Sequence, residues 1–262
     1  MFVLFKILFG CALIYILYIN GGINPAIIDF SLKSILIYFF ATILITLTIF
    51  LSAFRLYMVF VLFKISIPFN YIFKINYIGN FFNQCLPGAQ GGDIIKIIYL
   101  IKKYKSLNKL ILISCIIIDR LFGFIALSIL FLFSLYFLSD TNNNLLNLFY
   151  LFFSIIIILF LSIFIFIYFD LITILNNKIK SSDNYFLKLF SEYFENIKKI
   201  KNFHFLNTVK LIFISLLIFI IAFFAILLLI GLELDIITNI MKIFFMSSVA
   251  FFSNAIPISF NG

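Results

Sequence analysis

The chain has 262 residues, of which 65% are apolar and 11% charged, with a net charge of +9. Soluble domains are roughly half apolar and about a quarter charged, so this composition excludes a soluble enzyme, a nucleic-acid-binding domain or a disordered chain as a reading of the whole. With a mean hydropathy of +1.25, it describes an integral membrane protein.

Residue usage decides which positions carry information. Forty Phe, no Trp, and two Arg among 19 basic residues make phenylalanine stripes uninformative and arginine conspicuous. Cys11, Cys85 and Cys115 sit in apolar surroundings, without the spacing of a disulfide framework or metal site. No cofactor or metal is expected.

A bilayer core about 30 Å thick is crossed by roughly 20 apolar helical residues. Spans are expected near 2–19, 35–54, 110–138, 145–169, 211–230 and 236–256. The first reads as a retained signal-anchor, since no small-residue cleavage site precedes Asn20-Gly21-Gly22. Residues 55–109 hold eight basic residues and one acid, and residues 170–210 hold seven and four. The opposite loops, 20–34, 139–144 and 232–236, hold only Lys33 against Asp29, Asp140, Glu233 and Asp235. The positive-inside rule therefore places the N-terminus and the basic loops in the cytoplasm of a multi-pass protein of the cell (inner or plasma) membrane. It also accounts for the positive charge without nucleic acid as a partner. Labelling of cysteines placed at 140 and 199 from the same side of intact cells would overturn this map.

Residues 185–201 repeat apolar positions at helical spacing and end in lysines. They read either as a helix lying on the inner leaflet or as a solvated connector. His204, just beyond, reads as incidental.

The segment near 64–95 fits neither a loop nor a span. Asn76, Asn80 and Asn83 lie at i, i+4 and i+7 on one helical face, which Pro87-Gly88 would end. Pro87–Gly92 holds three of the ten glycines. Unpaired backbone at membrane depth persists only inside protein or along a wet cavity, so a re-entrant hairpin is expected. The N–H groups of Gly88, Gly91 and Gly92, with a helix starting near Asp93, would suit a phosphate. A plain surface turn is the alternative. At an offset of 170 residues, Phe81-Phe82, Leu86-Pro87 and Gly92 align with Phe251-Phe252, Ile256-Pro257 and Gly262. A second hairpin around Pro257 and Asn261 would then complete an inverted repeat. The expected fold is an all-α integral membrane protein, one transmembrane domain of about six helices with one or two re-entrant hairpins.

Asp119-Arg120 either interrupts the third span close to its middle or, if the span proper is 121–138, marks its cytoplasmic edge. Adjacent helical residues point apart, so each needs its own partner. Arg120 is either a ligand for an anionic headgroup or half of a structural ion pair, with Asp93 as the partner at hand.

The combination Asn83-x-x-Leu86-Pro87-Gly88-x-x-Gly91-Gly92-Asp93, Lys96, Ser106 and Asp119-Arg120-x-x-Gly123 resembles the flippase-like transmembrane domain of the lysylphosphatidylglycerol synthases, as do Arg55 and Pro257-Ile258-Ser259-x-Asn261-Gly262. Lys96 stands where that family usually has arginine. The resemblance also implies a further Gly-x-Arg-Glu segment and another span past Gly262, so the 262 residues are expected to be a fragment.

The sequence expectation is a translocase of a phospholipid or polyprenyl-phosphate-linked lipid, with no convincing catalytic constellation. Its headgroup would meet Pro87, Gly88, Gly91, Gly92 and Asp93, with Asn76, Asn80, Asn83, Lys96, Arg120, Pro257 and Asn261 lining the path. Two alternatives stand beside it. A membrane-embedded transferase using a polyprenyl-phosphate donor would need a general base and a metal-binding acidic pair. A non-transporting partner of an envelope-synthesis enzyme would need neither.

Overall fold

The computed structural model describes residues 32–85, 91–139, 205–230 and 236–255, with isolated helical positions between 147 and 155. The spans expected at 2–19 and 145–169, the inner-leaflet segment 185–201 and the second hairpin around Pro257 and Asn261 lie outside these residues, apart from those isolated positions.

Six helices make up the described structure, with no strand among the described residues: α1 (Leu32–Leu62), α2 (Phe69–Cys85), α3 (Gly91–Lys103), α4 (Lys109–Ser139), α5 (Phe205–Ile230) and α6 (Ile236–Ala255). Three of them, α1, α4 and α5, are long and apolar enough to cross a membrane. The protein is an all-α membrane protein. Residues 1–40 and 41–262 form two compact units. In the first, the opening turns of α1 expose Ile35, Leu36, Phe39 and Phe40, the apolar surface expected of a helix bathed in lipid. The remaining description concerns the second unit.

Helix α4 is its centre. Of the apolar stretch of α4, 56% is buried inside the protein, against 22% for α5. Lipid tails are as apolar as leucine, so helices associate in a membrane through close packing and hydrogen bonds rather than hydrophobic burial. The contacts follow that rule: the small residues Ala53, Ala126 and Ala225 are all but fully buried, and Ser134 on α4 meets Ser248 on α6 at 3.2 Å. Aromatic rings fill the wider gaps, with Phe223 of α5 edge-on to Phe244 of α6 at 4.5 Å and Phe131 of α4 stacked on Phe245 at 5.9 Å.

Helices α2 and α3 form an antiparallel hairpin. At its base the Tyr71 hydroxyl donates to the Tyr99 carbonyl at 3.0 Å, and the Tyr71 and Tyr104 rings meet edge to face. Near its tip the helices cross at Gly79 and Gly92. A Cβ on Gly92 would run into the Gly79 carbonyl oxygen, and one on Gly79 would stand 2.8 Å from the Lys96 Cγ. Backbone cannot swing aside as a side-chain end can, so Gly92→Ala is expected to prise α2 from α3. A melting temperature in detergent several degrees below wild type is the expected result; an unchanged one would mean that the helices tolerate a wider crossing.

Local signals set the helix ends. Asn108 caps α4, its Oδ1 accepting from the Leu110 N–H at 2.9 Å. Asp93 lies in the first turn of α3 and Lys102 and Lys103 in the last, each complementing the helix dipole. The end of α1 is closed by Ile65 N–H donating to the Phe60 carbonyl at 3.0 Å and Lys64 N–H to that of Val61 at 2.9 Å.

Candidate functional site

Helix α4 carries Asp119 and Arg120 side by side, and a step of about 100° along a helix turns them to different neighbours. Asp119 faces α1 and receives Arg55 in a fork, from Nε to Oδ1 at 2.7 Å and from Nη2 to Oδ2 at 2.9 Å. The Arg55 Nη1 donates to Ser215 on α5 at 2.9 Å. Both ionic side chains are only 9% exposed. Gly123, one turn along α4, leaves room for the guanidinium, since a Cβ there would sit 3.0 Å from the Arg55 Nη1. This cluster is neutral and enclosed, and it ties α1, α4 and α5 together.

Arg120 turns instead to α3. It too forms a fork, from Nε to Asp93 Oδ2 at 2.5 Å and from Nη2 to Oδ1 at 2.9 Å. The same carboxylate takes the Lys96 ammonium at 3.1 Å. One carboxylate thus answers two cations, and the cluster carries a net positive charge. Lys96 is 5% exposed at its side chain and Asp93 11%, but Arg120 is 45% exposed. The Nη1 side of Arg120 meets no acceptor among the described residues, although the residue lies inside an apolar candidate span. Every buried side-chain nitrogen and oxygen among the described residues has a partner.

The asparagines of α2 divide between two duties. Asn83 accepts the Gly92 N–H at 2.8 Å, capping α3 from across the hairpin beside Asp93. Asn76 is buried and donates to Ser52 Oγ at 2.7 Å and the Ile49 carbonyl at 3.3 Å, so it fastens α2 to α1. Asn80, between them, is half-buried. Gly91 opens α3 and Gly92 is buried in the crossing. Of the site residues expected from sequence, Asn83, Gly91, Gly92, Asp93, Lys96 and Arg120 are therefore drawn together at the tip of the hairpin and α4. Asn76 has its polar contacts with α1. Pro87, Gly88, Pro257 and Asn261 lie outside the described residues.

The expected site omitted Arg55, Asp119 and Ser215. Arginine's rarity marked Arg55 as strongly as Arg120, whereas nothing in the sequence marked Ser215 among the other serines.

No curated protein and no solved structure matches this sequence. The family profile described as Lysylphosphatidylglycerol synthase TM region, however, matches residues 3–262, which takes in every residue of both ion clusters and of the hairpin. The chain belongs to this family of membrane domains with a lipid-related role.

Proposed function

We propose that the protein is a translocase that carries a lipid with a phosphate-bearing headgroup, a phospholipid or a polyprenyl-phosphate-linked lipid, between leaflets. The observation that carries this reading is the Asp93–Lys96–Arg120 cluster, with two cations to one carboxylate and a guanidinium edge exposed within an apolar span. An unbalanced positive charge inside an apolar span is costly in hydrocarbon and belongs against water, a counter-ion or a substrate. A phosphate oxygen at the free edge would supply the missing negative charge and accept planar, charge-assisted hydrogen bonds. The headgroup would cross beside the hairpin tip while its chains stay in lipid, avoiding the desolvation that makes unassisted flip-flop slow.

Both carboxylates of the clusters are engaged by guanidinium groups. Neither is held as a free base, which favours movement of the lipid over transfer chemistry.

The test is reconstitution of the purified chain in vesicles containing a headgroup-labelled phospholipid or a labelled polyprenyl phosphate. Loss of label protection without change in the lipid's mass is the expected result. A new lipid product would replace this reading by the transferase, and unchanged protection with both lipids would leave a non-transporting role.

A further inference from the structure

We infer that the turn closing α1 is a second lipid site, independent of the mid-span cluster, where Lys64 holds the phosphate of an anionic glycerophospholipid from the surrounding leaflet.

Lys64 has φ 59° and is the one non-glycine residue with positive φ among the described residues. The closing bonds at Phe60 and Val61 impose that conformation, which a helix end normally gives to glycine. A lysine there is strained relative to glycine, its Cβ crowding the following carbonyl, so the fold accepts strain to keep a side chain at this point. Observed strain of this kind is a pointer to function.

The surroundings say what that side chain meets. A groove of about 480 Å³ opens at the turn, lined by Lys64, Ser66, Tyr57, Val61, Ile65, Ile67 and Pro68. Lys64 and Ser66 are exposed and stand on one chain turn, as ammonium and hydroxyl. Val61 is 50% exposed and continues the groove along α1 as an apolar wall. The Tyr57 ring is fixed by edge-to-face contact with Phe69 at 5.7 Å. Polar donors at the mouth and an apolar wall along a spanning helix match a phosphate with an acyl chain attached.

Charge at this end points the same way. Lys102, Lys103, Lys105 and Lys109 follow from the end of α3 to the start of α4, with no acid between 94 and 118. The Lys103 ammonium lies 3.7 Å from the centre of the Tyr71 ring, so it is already engaged. Lys64 makes no ion pair among the described residues. It is the basic side chain that opens onto the groove.

Because the chain has no Trp, Val61→Trp supplies a single indole reporter on the groove wall. In vesicles of phosphatidylcholine with a minor share of brominated phosphatidylserine, quenching in excess of that by the same share of brominated phosphatidylcholine measures local enrichment of the anionic lipid. About fivefold selectivity is expected, from one lysine near an anionic headgroup. In the same background Lys64→Gln, which keeps the strained backbone, should bring selectivity close to one, and Lys103→Gln should leave it. Lys64→Gly should lose selectivity while raising the melting temperature, a split that misfolding cannot produce. Selectivity retained in Lys64→Gln, or lost equally in Lys103→Gln, overturns the site in favour of no specific binding or of diffuse attraction to the basic end. Arg120→Gln in the reporter background should keep the selectivity whatever it does to transport, so failure of the translocase reading and failure of this site are separate results.

Discussion

Arg120→Lys is expected to cut lipid movement per folded molecule about tenfold or more, although the charge is unchanged. The guanidinium uses one edge on Asp93 and offers the other outward; an ammonium is a point charge that cannot serve two planar partners at once. Loss of a charge-assisted hydrogen bond is worth roughly 1.5–3 kcal/mol, which sets that factor. Stability should fall less, because Lys96 remains on Asp93 at 3.1 Å and keeps the carboxylate paired. Arg120→Gln should abolish transport and still fold, for Asp93 and Lys96 then form a neutral pair. Vesicle assays normalised to monodisperse protein, with melting temperatures on the same samples, separate the effects. Wild-type rates for correctly folded Arg120→Lys would reduce Arg120 to a structural ion pair and leave the hairpin tip alone as the candidate site.

Charge explains both what could be read in the sequence and what could not. The all-helical membrane class is a direct consequence of composition, and the break at Pro87–Gly92 stood out because glycine and proline are scarce elsewhere. Asn76 and Asn83 share one helical face by their spacing, yet α2 packs on α1 and α3 at once, so the two reach different partners. The sequence predicts a second span that ends at Phe54, with Arg55 following. In the structure α1 runs on to Leu62, since Asp119 neutralises Arg55 and the helix need not end at the charge. That pairing joins residues 64 positions apart, and the bond to Ser215 joins residues 160 apart. A single sequence shows the rare arginine but not the distant carboxylate that meets it. Lys64 left no trace for a different reason: its left-handed backbone is imposed by the end of α1, and Phe63-Lys64-Ile65 contains no residue that favours it.

The largest loss of stability is expected from Asp119→Asn. The carboxamide cannot neutralise Arg55, whose side chain is 9% exposed, and a buried charge stripped of its partner costs about 3–5 kcal/mol. Folded yield and melting temperature should drop sharply, with transport per surviving molecule close to wild type. Arg55→Met with Asp119→Leu makes the complementary case. Removing both charges leaves nothing unpaired, and apolar replacements of buried ion pairs are often neutral or stabilising. The double variant should therefore recover most of what Asp119→Asn loses, with Ser215 still satisfied by its bond to the Leu211 carbonyl at 2.8 Å. No recovery would mean that the Arg55 fork contributes more than charge balance in joining α1, α4 and α5. Full recovery of stability with full transport would confine this cluster to architecture. The same double removal at Asp93 and Arg120 should not restore folding, because it strands the Lys96 ammonium, 5% exposed at its side chain, without a counter-charge; there the two cations share one carboxylate, and only removal of all three charges leaves nothing unpaired.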